Sequence, residues 1–403
     1  MDISVSIIIL MTIIVVWFLI SLGDSNKVSE SFSSNNTPIT FRKCNSNPVK
    51  GIIKEIFQYN NINKQSDNNK HSLSWTLFYP CTYTHVENEL QNKLQCSSPE
   101  QKIYAIDGCD KIVSKNSIWK LLTDSYGREK ASEIMPESWQ ANDKTQLSHF
   151  LSNYNIKNFY ICKKNIQRKK GLLLTNNLEA ILKCQYSGYK IIQKYMKDVM
   201  LVKGHKINLR MYVLIVCDTY GAKRGYLYRD GKCMYTNKKY DKNTTNDEEQ
   251  ITSVNLNKEL YESPMQLPLN FNQLQQLWNT QGIAFEDIFD EILNKLKYVM
   301  DATLPFVCFS EKFQNNLRFQ LFGADIILDS NQNPYLLEFN KGPNMKPINN
   351  DDYILKKMVL EDVFRTVSIL PPSNERQNGF RLIRSIPTPN NTIGNLHFLS
   401  QNH

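Results

Sequence analysis

Residues 318–344 read RFQLFGADIILDSNQNPYLLEFNKGPN, and the chain is organised around them. An apolar run carries a single acid, Asp325. A polar turn follows (Asp329, Ser330, Asn331, Gln332, Asn333, Pro334), and a second apolar run then carries Glu338, with Asn340 two residues on. Strand-forming residues on both sides of turn chemistry predict a β-hairpin. Alternation along a strand puts Glu338 and Asn340 on one face, and pairing across the turn can bring Asp325 to the same end. Two carboxylates and an amide carbonyl form a hard-oxygen set of the kind Mg²⁺ takes when phosphates complete its shell. The competing explanation is three polar residues on a solvent-facing strand, and the hairpin alone does not separate the two.

Outward from the hairpin, His205 to Cys217 (HKINLRMYVLIVC) enters a buried strand on which Lys206, Asn208 and Arg210 share a face. Three polar residues in that register are hard to explain by packing, whereas His205 points elsewhere and reads as structural. Gly225 to Tyr228 is expected to pair with this strand. Phe159 to Lys163 (FYICK) is a short strand ending in a lysine, followed by a basic loop closed by Gly171. A lysine beside a glycine-containing loop suits a phosphate, although a solvated basic loop explains it as simply. Gln193, Lys194, Tyr195 and Met196 end another strand and suit either an adenine pocket or the edge of the core. Neither glycine-rich nucleotide fingerprint is present. Helical spacing is plain in Ala284–Met300 (Ile288, Ile292, Leu293, Leu296, Met300). It recurs in Asp351–Leu370 (Ile354, Leu355, Met358, Val359, Val363), which is expected to pack against the hairpin. Ser117 is a candidate cap for a helix carrying Ile118, Leu121 and Leu122.

A chain of 403 residues with 41% hydrophobic and 22% charged content has room for one large or several small domains. The net charge of +9 leans towards acidic partners, but no RNA-binding signature or zinc-finger spacing supports nucleic acid. Nine scattered cysteines without a CxxC pair, among them Cys162, Cys217 and Cys308 in apolar runs, read as buried free thiols in a reducing compartment. Residues 3–22 (ISVSIIILMTIIVVWFLISL) are long and apolar enough to span a bilayer. With Asp2 before them and Lys27, Arg42 and Lys43 after them, an uncleaved single-pass anchor with a cytosolic body is expected. A Ser/Asn-rich linker (23–40) comes next. The charged stretch Asp241–Gln250 reads as a mobile loop, and 371–403 as a flexible tail.

The ordered set Lys163, Gln193-Lys194-Tyr195, Gly204-His205-Lys206-x-Asn208-x-Arg210-x-Tyr212-Val213-Leu214, Tyr226-Leu227-Tyr228-Arg229-Asp230-Gly231, Phe322-Gly323-x-Asp325 and Leu337-Glu338-x-Asn340 resembles the tubulin tyrosine ligase-like family of ATP-grasp ligases. Met135-Pro136-Glu137-Ser138-Trp139 and Gln250-Ile251-Thr252-Ser253 through Lys258 resemble two further segments of that family. The resemblance runs from about Gln101 to Leu370. It implies an α/β (α+β) ATP-grasp fold, with ATP between a central lobe (111–200) and a C-terminal lobe (201–370), preceded by a small α/β lobe (41–110). Lys163 and Lys194 would meet the phosphates and base region, with Gly171 in the phosphate loop. Gln193, Tyr195 and Met196 would surround the adenine, Asn208 would lie near the sugar, and Asp325, Glu338 and Asn340 would hold Mg²⁺. Arg210 would face the transferring phosphoryl group, Arg229 an acidic substrate group, and Lys206 the sugar and incoming amino acid.

The reaction so implied is ATP-dependent amide formation between a free amino acid, glutamate or tyrosine, and a protein carboxylate, through an acyl phosphate. The partner would be tubulin or another protein with an acidic tail. Three departures stand out: Asn208 occupies a position where the family usually has Asp, the loop 164–171 lacks the usual glycines, and the family does not usually begin with an anchor. They keep two alternatives open: a tethered module that binds nucleotide or an acidic tail with little or no turnover, and a ligase acting on a protein other than tubulin.

Overall fold

The computed structural model describes residues 40–43, 49–64, 75–80, 83–165, 171–252 and 257–387. The expected anchor (3–22), almost all of the linker (23–40) and the last part of the tail lie outside them. Among the described residues no helix is long and apolar enough to cross a membrane.

Four short strands open the chain: β1 (Thr40–Lys43), β2 (Asn63–Lys64), β3 (Leu77–Tyr79) and β4 (Lys102–Ile103). Four more, β5 (Ser138–Gln140), β6 (Tyr160–Lys163), β7 (Leu172–Thr175) and β8 (Ile191–Lys194), form an antiparallel sheet in the order β5-β8-β6-β7. The remainder are β9 (Leu201–Val202), β10 (His205–Cys217), β11 (Lys223–Tyr228), β12 (Lys232–Tyr235), β13 (Arg318–Leu328), β14 (Pro334–Asn340) and β15 (Phe380–Ile386). With β1 to β4 they make one 11-stranded sheet running β15-β11-β10-β13-β4-β3-β1-β2, to which β9 and β12 add against β10 and β14 against β13.

The long strands are nearly continuous in apolar residues because both faces of this sheet are covered. On β10, Ile207, Leu209, Met211, Val213 and Ile215 face a core built with Ile288, Phe289, Ile292, Leu296 and Met300 of the helix Phe285–Thr303. On its other face Tyr212, Leu214 and Val216 lie in a second core with Leu355, Val359 and Val363 of the helix Asn350–Thr366 and with Ile52, Ile53, Ile56 and Phe57 of the helix Ile52–Tyr59. The alternation that sends 212, 214 and 216 under those helices sends Lys206, Asn208 and Arg210 to the same face one step along. Helix cover gives out there, and the polar residues begin. The smaller sheet has its own core, in which Trp139 packs edge-on against Phe150 and Tyr160.

Several expectations need correction. Cys217 and Cys308 are not free thiols but a disulfide across 91 residues of sequence; Cys109, Cys162, Cys184 and Cys233 are free. Periodicity cannot show that two apolar runs so far apart meet. The stretch 371–403, read as a flexible tail, contributes β15, which pairs antiparallel with β11. Strands β1, β3 and β4 add parallel to the edge of β13, so the segment 41–110 builds the same sheet as 201–370. Asp241–Gln250, read as a loop, ends in a helical turn (Asp247–Gln250) whose Gln250 is buried. The long helix begins at Lys115 after Ser114, not at Ser117, and Ile354, placed on the apolar face of its helix, is exposed.

Candidate active site

The hairpin pairs as its alternation requires, with Asp325 opposite Glu338 and Gly323 opposite Asn340. A bulge between Asp325 and Ile326 shifts the register, so Ile326 faces Leu336 and Leu337 is the extra residue. Bulges re-aim side chains. Here the result is that Asp325 and Glu338 face each other, and Asn340 Nδ2 sits 3.5 Å from Asp325 Oδ2 and 3.4 Å from Glu338 Oε1.

These residues form one wall of a cavity of 560 Å³. From the larger sheet come Lys206, Asn208, Arg210, Asp325, Glu338 and Asn340; from the smaller one come Lys163, Gln193 and Lys194, with Tyr195 and Met196 just beyond β8. The volume falls in the range of roughly 300–1,000 Å³ usual for small-molecule sites. Gly323 matters to its shape, since a Cβ there would come within 3.0 Å of Arg210 Cδ. Arg210 therefore lies flat across β13, donating from Nη2 to Asp325 Oδ2 at 3.0 Å and from Nε to Oδ1.

Burial and charge act together on the wall. Burial works against the Arg210 charge, but the Asp325 carboxylate more than offsets it and holds the guanidinium pKa above its ordinary value. Burial tends to raise Glu338, yet Lys115, Lys163 and Arg210 together hold it below the usual carboxylate range. Lys163 is lowered to about 8, chiefly by burial. Lys206 is lowered to about 7 by burial and then by the neighbouring Lys163. Its ammonium donates to the Tyr195 hydroxyl at 2.8 Å and lies 4.4 Å from the ring centroid. Asn208 Nδ2 donates to Thr252 Oγ1 at 2.8 Å, while its buried Oδ1 has no partner among the described residues.

Two of the expected site residues lie elsewhere. Arg229 is not on the cavity: Tyr228 turns inward to Asp362, alternation turns Arg229 outward, and it pairs with Glu286 at 3.2 Å with its side chain 63% exposed. Gly171 adopts φ +89° and accepts a hydrogen bond from Lys164 N at 2.9 Å, closing the β6–β7 turn; it does not line the cavity. Residues 166–170 of that loop lie outside the described residues. Lys115 was not foreseen. It lines the cavity and pairs with Glu338 at 3.3 Å, having no neighbour in sequence that marks it. Met234, Thr252, Asn344 and Lys346 also line the cavity.

The donor set fits a divalent cation. Two carboxylates and an amide lie side by side on the hairpin, residue types whose oxygens Mg²⁺ prefers. The Asn340 amide turns its nitrogen to the acids, and rotation about its last bond would offer the oxygen instead.

Comparison with known proteins agrees with this geometry. The model of the tubulin-tyrosine ligase family matches residues 93–378. The "Probable beta-tubulin polyglutamylase" of Tetrahymena thermophila is 24% identical over 352 residues, covering 79% of this chain and 27% of that protein. The human "Probable tubulin polyglutamylase TTLL2" is 23% identical over 362 residues, 84% of this chain and 57% of that protein. The mouse "Tubulin monoglutamylase TTLL4" is 24% identical over 292 residues, 68% and 24% respectively. The chain thus spans between 24% and 57% of the length of these relatives. With a family match over most of its length and a cavity assembled from the residues that carried the resemblance, the chain belongs to the tubulin-tyrosine ligase family.

Proposed function

We propose that this chain is an ATP-grasp amino-acid ligase that joins an amino acid, glutamate or tyrosine, to a protein carboxylate, with tubulin as the acceptor. One observation carries the reading: Lys163, Lys206 and Arg210 line a single cavity together with Asp325, Glu338 and Asn340. A carboxylate is a poor electrophile, so amide formation from it needs activation. In the proposed reaction the acceptor carboxylate oxygen takes the terminal phosphoryl group of ATP, ADP leaves, and the amino-acid amine displaces phosphate from the acyl phosphate. Lys163, Lys206 and Arg210 hold positive charge against the phosphates, and Gln193, Tyr195 and Met196 enclose the base. Asp325, Glu338 and Asn340 would hold Mg²⁺, which when bound neutralises phosphate oxygens. Such catalysis is positioning and electrostatics, without an obligatory protein nucleophile. The names of the relatives favour glutamate over tyrosine.

The test is mass spectrometry of tubulin incubated with the chain, ATP, Mg²⁺ and mixed amino acids. An added residue mass on a tubulin tail is expected, and its value names the donor. Transfer only to other acidic-tailed proteins would move the acceptor away from tubulin. A second reading, nucleotide binding without turnover, is favoured by Asn208, which puts an amide where the resemblance expects a carboxylate. Mg²⁺-dependent ATP binding with no mass added to any acceptor would select it. The proposal also includes a membrane anchor at residues 3–22 with the folded region on the cytosolic side. Protease accessibility of the folded region in sealed membranes tests that part.

A further inference from the structure

The segment Met135–Trp139 has no place in the chemistry above, yet it is bonded to the site. Ser138 lies directly across the β5–β8 pair from Gln193, and both are buried. Gln193 Nε2 donates to Ser138 Oγ at 2.9 Å and to Pro136 O at 3.2 Å, while the Ser138 hydroxyl spends its one proton on Pro136 O at 2.7 Å. The Gln193 carbonyl oxygen is then left facing Lys163, whose ammonium donates to it at 2.7 Å. The opposite amide orientation would set carbonyl against carbonyl at Pro136 and donor against donor at Lys163. The segment is itself clamped: Arg128 donates to Ser138 O at 3.1 Å, with its guanidinium 5.5 Å from the Trp119 ring and 5.7 Å from the Trp139 ring.

We propose that Ser138 is a positioning residue for Lys163: together with Pro136 O it holds the Gln193 amide with its oxygen towards the lysine, and so aims the ammonium into the cavity where phosphates would bind. Gln193, on this view, serves the phosphate end of the site as well as the base. The inference rests on the reading of the cavity as a nucleotide site. Removing the hydroxyl takes away one of the two acceptors of Gln193 Nε2 and leaves Pro136 O, at 3.2 Å, alone to hold the amide, so its oxygen is fixed less firmly against Lys163.

The test is a double-mutant cycle on the full chain, with calorimetric titration of a non-hydrolysable ATP analogue in Mg²⁺. Ser138→Ala alone is expected to weaken binding about tenfold, the scale of one hydrogen bond to a charged group. In a Lys163→Met background the same change is expected to add nothing, and Ser138→Thr, which keeps the hydroxyl, is expected to restore affinity. Equal losses in both backgrounds, or no loss in Ser138→Ala while Lys163→Met is impaired, would overturn the proposal and leave the nucleotide reading standing. Undiminished affinity in Lys163→Met would instead sink the assignment of Lys163 to the phosphates, and this proposal with it. If Ser138→Ala does not fold, Ser138→Cys, which keeps the volume and weakens the acceptor, carries the same cycle.

Discussion

At the scale of single residues, two lysines that line the cavity give up their charge more easily than ordinary lysines. Lys206 at about 7 and Lys163 at about 8 lie below the ordinary lysine range because burial disfavours the ammonium. A triphosphate restores the missing counter-charge, so binding near pH 8 is expected to take up protons. Titrations in buffers of different ionisation enthalpy measure this directly, and an observed enthalpy independent of the buffer would contradict it. The sign for stability follows from the same shifts. Between the folded values and the unfolded value of about 10.4 the unfolded chain binds more protons, so the ligand-free protein gains stability as pH rises through that window. Below pH 7 the burial penalty on both lysines is complete. Glu338→Gln keeps size and removes charge, taking a carboxylate from the proposed metal site and a partner from Lys115. Ligation is expected to fall about 100-fold or more with the melting transition little changed. Near-normal turnover in that variant would mean the hairpin does not hold the metal.

At the scale of elements, the C-terminal strand is held by one acid. Asp362, fully buried on the helix Asn350–Thr366, accepts from the Tyr228 hydroxyl at 3.1 Å, Gly379 N at 3.0 Å, Arg365 at 3.0 Å and Arg376 at 2.5 Å. Asp362→Ala leaves Arg365 and Arg376 with Glu361 and takes the acceptor from the buried Tyr228 hydroxyl, and is expected to cost about 2–3 kcal/mol. Chemical denaturation reads the cost, and faster amide exchange confined first to β15 and its partner β11 reads the location. Such elements also show what could be read from sequence. The hairpin was legible because its turn residues and alternation are local, and β10 because one polar face interrupts an otherwise apolar run. Lys115 was invisible because its partner Glu338 is reached only through the tertiary fold. Arg229 misled because it sits inside a matching motif, and only the inward turn of Tyr228 shows that it faces out. β15 has arginines among its apolar residues and little of it is buried, so its sequence lacks the signature of a core strand.

At the scale of the molecule, the bond between Cys217 and Cys308 ties the end of β10 to a segment reached only after the helix Phe285–Thr303. Alkylation under denaturing conditions without reductant is expected to label Cys109, Cys162, Cys184 and Cys233 and to spare Cys217 and Cys308, recovered as a linked peptide pair. Closing a loop of that length stabilises by about 2–4 kcal/mol, so Cys217→Ser is expected to lower the unfolding midpoint accordingly. The bond also bears on the proposed cytosolic placement, since reducing compartments seldom keep such links. The same linked pair, sought in protein taken from its own cells, tests whether the chain folds where that placement puts it.

The parallel addition of β4, β3 and β1 beside β13 has a practical outcome. A fragment cut to begin at residue 93, where the family match starts, would discard β1 to β3 and leave the outer edge of β4 open, with β14 still paired to β13 beside it. Open backbone donors and acceptors beside apolar side chains recruit strands from other molecules. Recombinant pieces trimmed to the homology boundary should therefore precipitate or polymerise, whereas those starting ahead of Thr40 should stay dispersed.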